Sequence, residues 1–144
     1  MKFLITGSNG QLGYALINSS PKSIYDKNIE IIKATRENMN LLNQEKCEEF
    51  LEEHKPNWVI NCGAYTAVDK AESDQITAFK INGEAPYFLA QKCNEMGIKL
   101  IQISTDFVFN GNSNKSYETT DKIDPINIYG KSKAPGLNQY QIYP

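Results

Sequence analysis

Apolar residues along this chain follow two alternating rhythms. Short continuous runs, Phe3-Leu4-Ile5, Glu30-Ile-Ile-Lys-Ala34, Asn57-Trp-Val-Ile-Asn-Cys62 and Ile98-Lys-Leu-Ile-Gln-Ile-Ser104, read as buried strands. Between them apolar positions return every three or four residues, as one face of a helix does. Leu12, Ala15, Leu16 and Ser19 form the first such face. Cys47, Phe50 and Leu51 form the second, in a helix capped by Asn43, running through His54 and closed by Pro56. His54 falls in its last turn, where a partly positive ring suits the helix end. A short helix is expected near Ser73 to Lys80. A longer one is expected from Glu84 to Met96, with Ala85, Phe88, Leu89, Cys93 and Met96 inward, Pro86 in its first turn and Gly97 as its stop. Pro21 to Asn28 reads as a polar connection, and Asn110 to Asn114 as a turn-rich loop. Strand–helix alternation of this kind predicts an α/β fold, a doubly wound parallel sheet with helices on both faces.

Bulk composition changes this picture little. The 144 residues suffice for one compact domain. A net charge of -2 gives no sign of a nucleic-acid partner. No apolar run approaches the roughly 20 residues of a membrane helix. Met1 to Leu4 looks faintly like the start of a signal peptide, but Gly7 and Gly10 interrupt it. Cys47, Cys62 and Cys93 are odd in number and far apart, which reads as reduced thiols in a cytoplasmic protein and not as a metal site.

The chemistry begins at Thr6-Gly7-Ser-Asn-Gly10-Gln-Leu-Gly13, directly after the first strand. Strand, glycine turn, helix is the opening of a dinucleotide-binding Rossmann unit. The glycines permit a sharp turn, close approach of backbone to a pyrophosphate, and tight helix–sheet packing. The phosphate charge then sits at a helix N-terminus. At the end of the second strand, where an acidic residue would select NAD, the chain has Thr35-Arg36. Arg36 can pair with the 2′-phosphate of NADP, which favours NADPH with NADH as the alternative; a solvated surface arginine reads the same way. Met39-Asn40-Leu41-Leu42 is placed to lie under the adenine, and Gly63-Ala64-Tyr65-Thr66, at the third strand's end, to line the cofactor.

Tyr129 and Lys133 stand four residues apart and share a helix face. A neighbouring ammonium favours a phenolate, lowering a tyrosine pKa from about 10 by roughly 1–3 units. With eight tyrosines, about one such spacing is expected by chance, so context decides. Here the pair follows the fourth strand, whose tip carries the hydroxyls of Ser104 and Thr105.

Together with Asn61-Cys-Gly-Ala-Tyr-Thr-Ala-Val-Asp-Lys-Ala-Glu72, Ile81-Asn82, Ile103-Ser-Thr-Asp-Phe-Val-Phe109 and Tyr129-Gly-Lys-Ser-Lys133, these stretches resemble an extended short-chain dehydrogenase/reductase, and more narrowly the dTDP-4-dehydrorhamnose reductase family. The resemblance implies hydride transfer from NADPH to the C4 carbonyl of a dTDP-4-keto-6-deoxy sugar, on the way to dTDP-L-rhamnose and cell-surface polysaccharide. It implies Tyr129 as proton donor, Lys133 as holder of the nicotinamide ribose, and Thr105 as hydrogen-bond donor to the substrate. Gly7, Gly10, Gln11, Leu12, Gly13, Arg36, Asn40, Leu41, Gly63, Ala64, Tyr65, Thr66, Asn82, Tyr129 and Lys133 would line the cofactor. A strand-end cap for Thr105, core packing for Tyr65 and a helix N-cap for Asn82 are the structural alternatives. Asp106 is followed by Phe107, where related dehydratases carry glutamate, so reduction fits better than dehydration.

Two departures qualify the resemblance. Asn40 replaces a usual aspartate. After Ala134 the family pattern fails, and Pro135-Gly136 is expected to fray the helix holding Lys133. The expected organisation is an NADP-binding domain over 1–134, a non-family tail over 135–144 and no substrate domain, as in a truncated reading frame. The sheet would then be incomplete on its C-terminal side, leaving an exposed edge through which copies associate or dimerise. Alternative functions are a cofactor-binding regulatory module, similar to the regulatory subunit of methionine adenosyltransferase, and an inactive fragment.

Overall fold

A computed structural model describes residues 1–140, with side chains as far as Pro135. Residues 141–144, the end of the expected tail, lie outside the described residues. The stretch read as one domain packs as two compact units, Met1–Ala64 with Ala85–Ile103, and Tyr65–Glu84 with the chain from Ser104.

The first unit is built on a four-stranded parallel sheet. β1 (Lys2–Thr6) lies between β4 (Glu30–Ala34) and β5 (Trp58–Asn61), and β6 (Lys99–Gln102) lies outside β5. Leu4 sits opposite Ile32 on one side and Val59 on the other, so the centre of the sheet is aliphatic. Helices α1 (Gln11–Ser19), α2 (Gln44–His54) and α5 (Ala85–Glu95) belong to the same unit. Leu51 and Cys47 of α2 and Leu89 and Cys93 of α5 join Leu4 and Val59 in one buried cluster, as their spacing predicts. Asn43 caps α2 by accepting from the Lys46 amide at 3.0 Å. His54 lies in its last turn, its ring edge-on to Phe50.

The polar connection contains a small hairpin, β2 (Ser23–Ile24) and β3 (Lys27–Asn28). Tyr25 and Asp26, at φ 48 and 60, make its two-residue turn in the left-handed region that a primed hairpin turn requires.

In the second unit the expected short helix near 73–80 is α4 (Gln75–Phe79); α3 (Val68–Ala71) precedes it and a π-helical segment, Lys80–Glu84, continues it. The wider winding places the Asn82 side chain in the interior, where it bonds to Tyr65. A 3-10 turn follows at Asp106–Val108. Helix α6 runs over Ile128–Tyr140 with Pro135 inside it, which corrects the expectation of fraying at that proline. Pro135 removes one donor, the partner of the Lys131 carbonyl. The same helix is capped at its start by Asn127 and buries Tyr129, Ser132 and Lys133. Tyr129 packs with Ala71, Ala78, Tyr65, Val68 and Ile128. Among the described residues no helix is long and apolar enough to cross a membrane, and no cluster of His, Cys, Asp or Glu could hold a metal.

Candidate active site

The first unit carries the glycine turn. Gly7 has φ +58, and a Cβ there would lie 2.9 Å from the backbone of Gly63. The turn after β1 and the end of β5 therefore touch through bare backbone. A Cβ on Gly13 would come 2.5 Å from the Gly7 carbonyl oxygen, so the first turn of α1 can sit this close to the loop only with glycine. Gly10 is the N-cap of α1 and offers no side chain to the helix's opening N–H groups; no acidic residue occupies that turn. The Ser8 hydroxyl is buried inside the loop without a partner. An uncapped helix start, an unpaired buried hydroxyl and a surface cleared of side chains suit the pyrophosphate of a dinucleotide.

Neighbouring residues shape the same surface. Leu41 reaches Gly63, with its Cδ1 2.6 Å from where a Cβ would be. Asn40 folds back on its own loop, accepting from the Leu42 amide at 3.1 Å. Arg36 is exposed at the turn after β4. Gln11 and Leu12 are exposed on the first turn of α1, and Ala64 is half-buried. Sequence reasoning missed what fixes Gly63. Thr6, Asn61 and Gln102 are register partners across β1, β5 and β6. The Thr6 hydroxyl donates to Asn61 Oδ1 and accepts from the Gly63 amide at 3.0 Å, while Asn61 Nδ2 donates to Gln102 Oε1 at 2.7 Å. This polar row crosses three strands and pins the loop beside the glycines. Polar residues ending three apolar runs were the available signal.

The second unit carries the tyrosine–lysine helix. Tyr129 is 9% exposed and meets Phe107 edge-to-face at 5.5 Å. Lys133 is buried, and burial pulls its pKa below the ordinary lysine value. Gly130 lies so close to the Phe107 carbonyl that a Cβ there would collide with it. Thr105 caps the 3-10 turn: its hydroxyl accepts from the Phe107 amide at 3.3 Å and donates to Asp106 Oδ1 at 3.2 Å. The hydroxyl therefore caps a 3-10 turn and not the strand end. Asn82 is not a helix N-cap. Its Oδ1 accepts from the Tyr65 amide at 2.8 Å, and its Nδ2 donates to the Tyr65 carbonyl at 3.0 Å and to Ser132 Oγ at 2.9 Å. These bonds hold the loop of Tyr65 and the exposed Thr66 against α6. Tyr65 packs in the core and donates its phenol to Asp74 at 3.2 Å. Burial, with that bond, raises the Tyr65 pKa and keeps the phenol protonated. Burial also pushes the Cys47 and Cys93 thiols up, to about 11 and about 12, so both stay unreactive thiols.

Known proteins place this arrangement in a family. Residues 1–140 match the family model described as RmlD substrate binding domain. A dTDP-4-dehydrorhamnose reductase of Burkholderia thailandensis is 39% identical over 136 residues, covering 94% of this chain and 44% of that protein. The spore coat polysaccharide biosynthesis protein SpsK of Bacillus subtilis is 37% identical, covering 94% and 46%. The crystal structure of a dTDP-4-dehydrorhamnose reductase from Clostridium acetobutylicum superposes with a TM-score of 0.90 at 39% identity, covering 99% of this chain and 49% of that one. That of the Bacillus anthracis enzyme in complex with NADP gives 0.89 at 33%, covering 98% and 49%. The chain spans about half the length of the curated relatives it matches. Its matched residues include both the glycine turn and the tyrosine–lysine helix, and the chain belongs to the RmlD substrate binding domain family.

Proposed function

We propose that this chain carries the cofactor-binding and proton-donating machinery of a cytoplasmic, NADPH-dependent reductase acting on the C4 keto group of a dTDP-4-dehydro-6-deoxy sugar. The observation that carries the reading is the buried pair Tyr129 and Lys133, four residues apart on one helix, in a chain similar to dTDP-4-dehydrorhamnose reductases. NADPH, when bound, supplies the hydride. The glycine turn and the uncapped start of α1 would hold its pyrophosphate, Leu41 and Asn40 its adenine side, and Arg36 its 2′-phosphate. The Tyr129 phenol donates its proton to the carbonyl oxygen as that oxygen gains charge. Lys133 keeps the resulting phenolate stable and holds the nicotinamide ribose. Thr105 shares its hydroxyl proton with exposed Asp106, a bond that a substrate oxygen can replace.

The test is a fluorescence titration with NADPH, followed by addition of dTDP-4-dehydrorhamnose while absorbance near 340 nm is recorded. NADPH binding is expected with little turnover, and what substrate-dependent loss of NADPH occurs should be slower by about 100-fold or more in Tyr129→Phe. No NADPH binding, or turnover indifferent to Tyr129→Phe, rejects the reading.

A further inference from the structure

Helix α6 begins at Ile128, one residue before Tyr129. The opening N–H groups of any helix lack intrahelical acceptors and need partners elsewhere. Two of them find partners here. The Gly130 amide donates to Asn127 Oδ1 at 2.7 Å, a local cap. The Ile128 amide donates to Glu72 Oε1 at 2.9 Å, across 56 residues of chain. Glu72 sits at the end of α3 and is exposed, so its side chain is not there for core packing. A carboxylate at this place also meets the positive end of the helix dipole. A second anchor lies one turn on. Asn82 donates to Ser132 Oγ at 2.9 Å, and Ser132 donates to the Tyr129 carbonyl at 2.7 Å. The two anchors meet α6 at Ile128 and Ser132, each one residue before a member of the tyrosine–lysine pair.

We propose that Glu72 is a positioning residue: it fixes the start of α6 and, with Asn82 as the second anchor, sets the direction in which Tyr129 and Lys133 point. The inference rests on the reading of that pair as the reducing machinery. Glu72 touches neither substrate nor cofactor in this account and acts through the helix alone. An acceptor oxygen is what the role requires, so glutamine serves and alanine does not.

The test compares Glu72→Ala, Glu72→Gln, Lys133→Ala and the Glu72→Ala/Lys133→Ala double variant of the full chain. NADPH affinity is read by fluorescence, and amide hydrogen exchange in the first turn of α6 by NMR. Glu72→Ala is expected to speed exchange at Ile128–Gly130 about fivefold and to weaken NADPH binding to a similar degree. Glu72→Gln should change both by less than about twofold. In the Lys133→Ala background, Glu72→Ala should cost less affinity than it does in the parent, because part of its effect passes through Lys133 and only the part through Tyr129 remains. Full additivity of the two losses overturns the proposal. So does wild-type affinity in Glu72→Ala when Lys133→Ala is impaired. If Lys133→Ala binds NADPH normally, the tyrosine–lysine reading fails and the positioning role falls with it; exchange in Glu72→Ala then still shows separately whether the carboxylate holds the helix.

Discussion

Removing an ammonium group from water disfavours its charged form, and Lys133 shows the consequence in its lowered pKa. The sign of the linked stability follows. Below the folded-state value both states carry the proton, and the linked contribution does not change with pH. Between that value and the ordinary 10.5, the unfolded chain binds more protons, so stability rises with pH through this window. Lys133→Met should therefore lack this part of the parent's rise in urea midpoint between about pH 7 and pH 10. Equal midpoints for the two chains at both pH values would contradict this. Asn82 presents the opposite case. It is 2% exposed and makes three hydrogen bonds. Asn82→Ala strands the amide and carbonyl of Tyr65, and a loss of about 2–4 kcal/mol is expected in urea unfolding.

At the scale of elements, what could be read from the sequence divides by the range of the forces involved. β1, the glycine turn and α1 were legible because each leaves a local mark in the chain: three apolar residues, glycines at a fixed spacing, and a helical repeat. The inner faces of α2 and α5 were legible for the same reason. The hairpin over residues 23–28 was not, because so short a pair has no alternation to detect. The π segment depends on Tyr65, seventeen residues upstream of Asn82, and the polar row of Thr6, Asn61 and Gln102 becomes visible only once strand register is known. The site was legible as a set of residue types, but the bonds that hold Thr105 on its 3-10 turn and Asn82 on the Tyr65 loop were not. Pro135 shows local propensity losing to distant contacts, since α6 is capped from Asn127 and Glu72 and anchored through Ser132. Pro135→Ala should restore the missing bond to the Lys131 carbonyl and raise stability by about 1–3 kcal/mol. Urea unfolding measures it, and an unchanged midpoint would show that the helix is not strained there.

At the scale of the whole molecule, the sheet of the first unit ends at β6, which among the described residues pairs with β5 alone. Ile101 on that strand is 41% exposed. Unpaired strand edges with apolar neighbours associate. Sedimentation velocity should show concentration-dependent association that Ile101→Lys reduces; a monomer at all concentrations would remove the edge from consideration.

Whether the glycine turn holds NADPH is decided by equilibrium titration of the 144-residue chain with NADPH, beside Gly13→Val. Saturable binding is expected, tighter for NADPH than for NADH, and lost in Gly13→Val with the far-UV circular dichroism largely kept. Absence of saturable binding in the parent chain, or equal affinity in Gly13→Val, would contradict it.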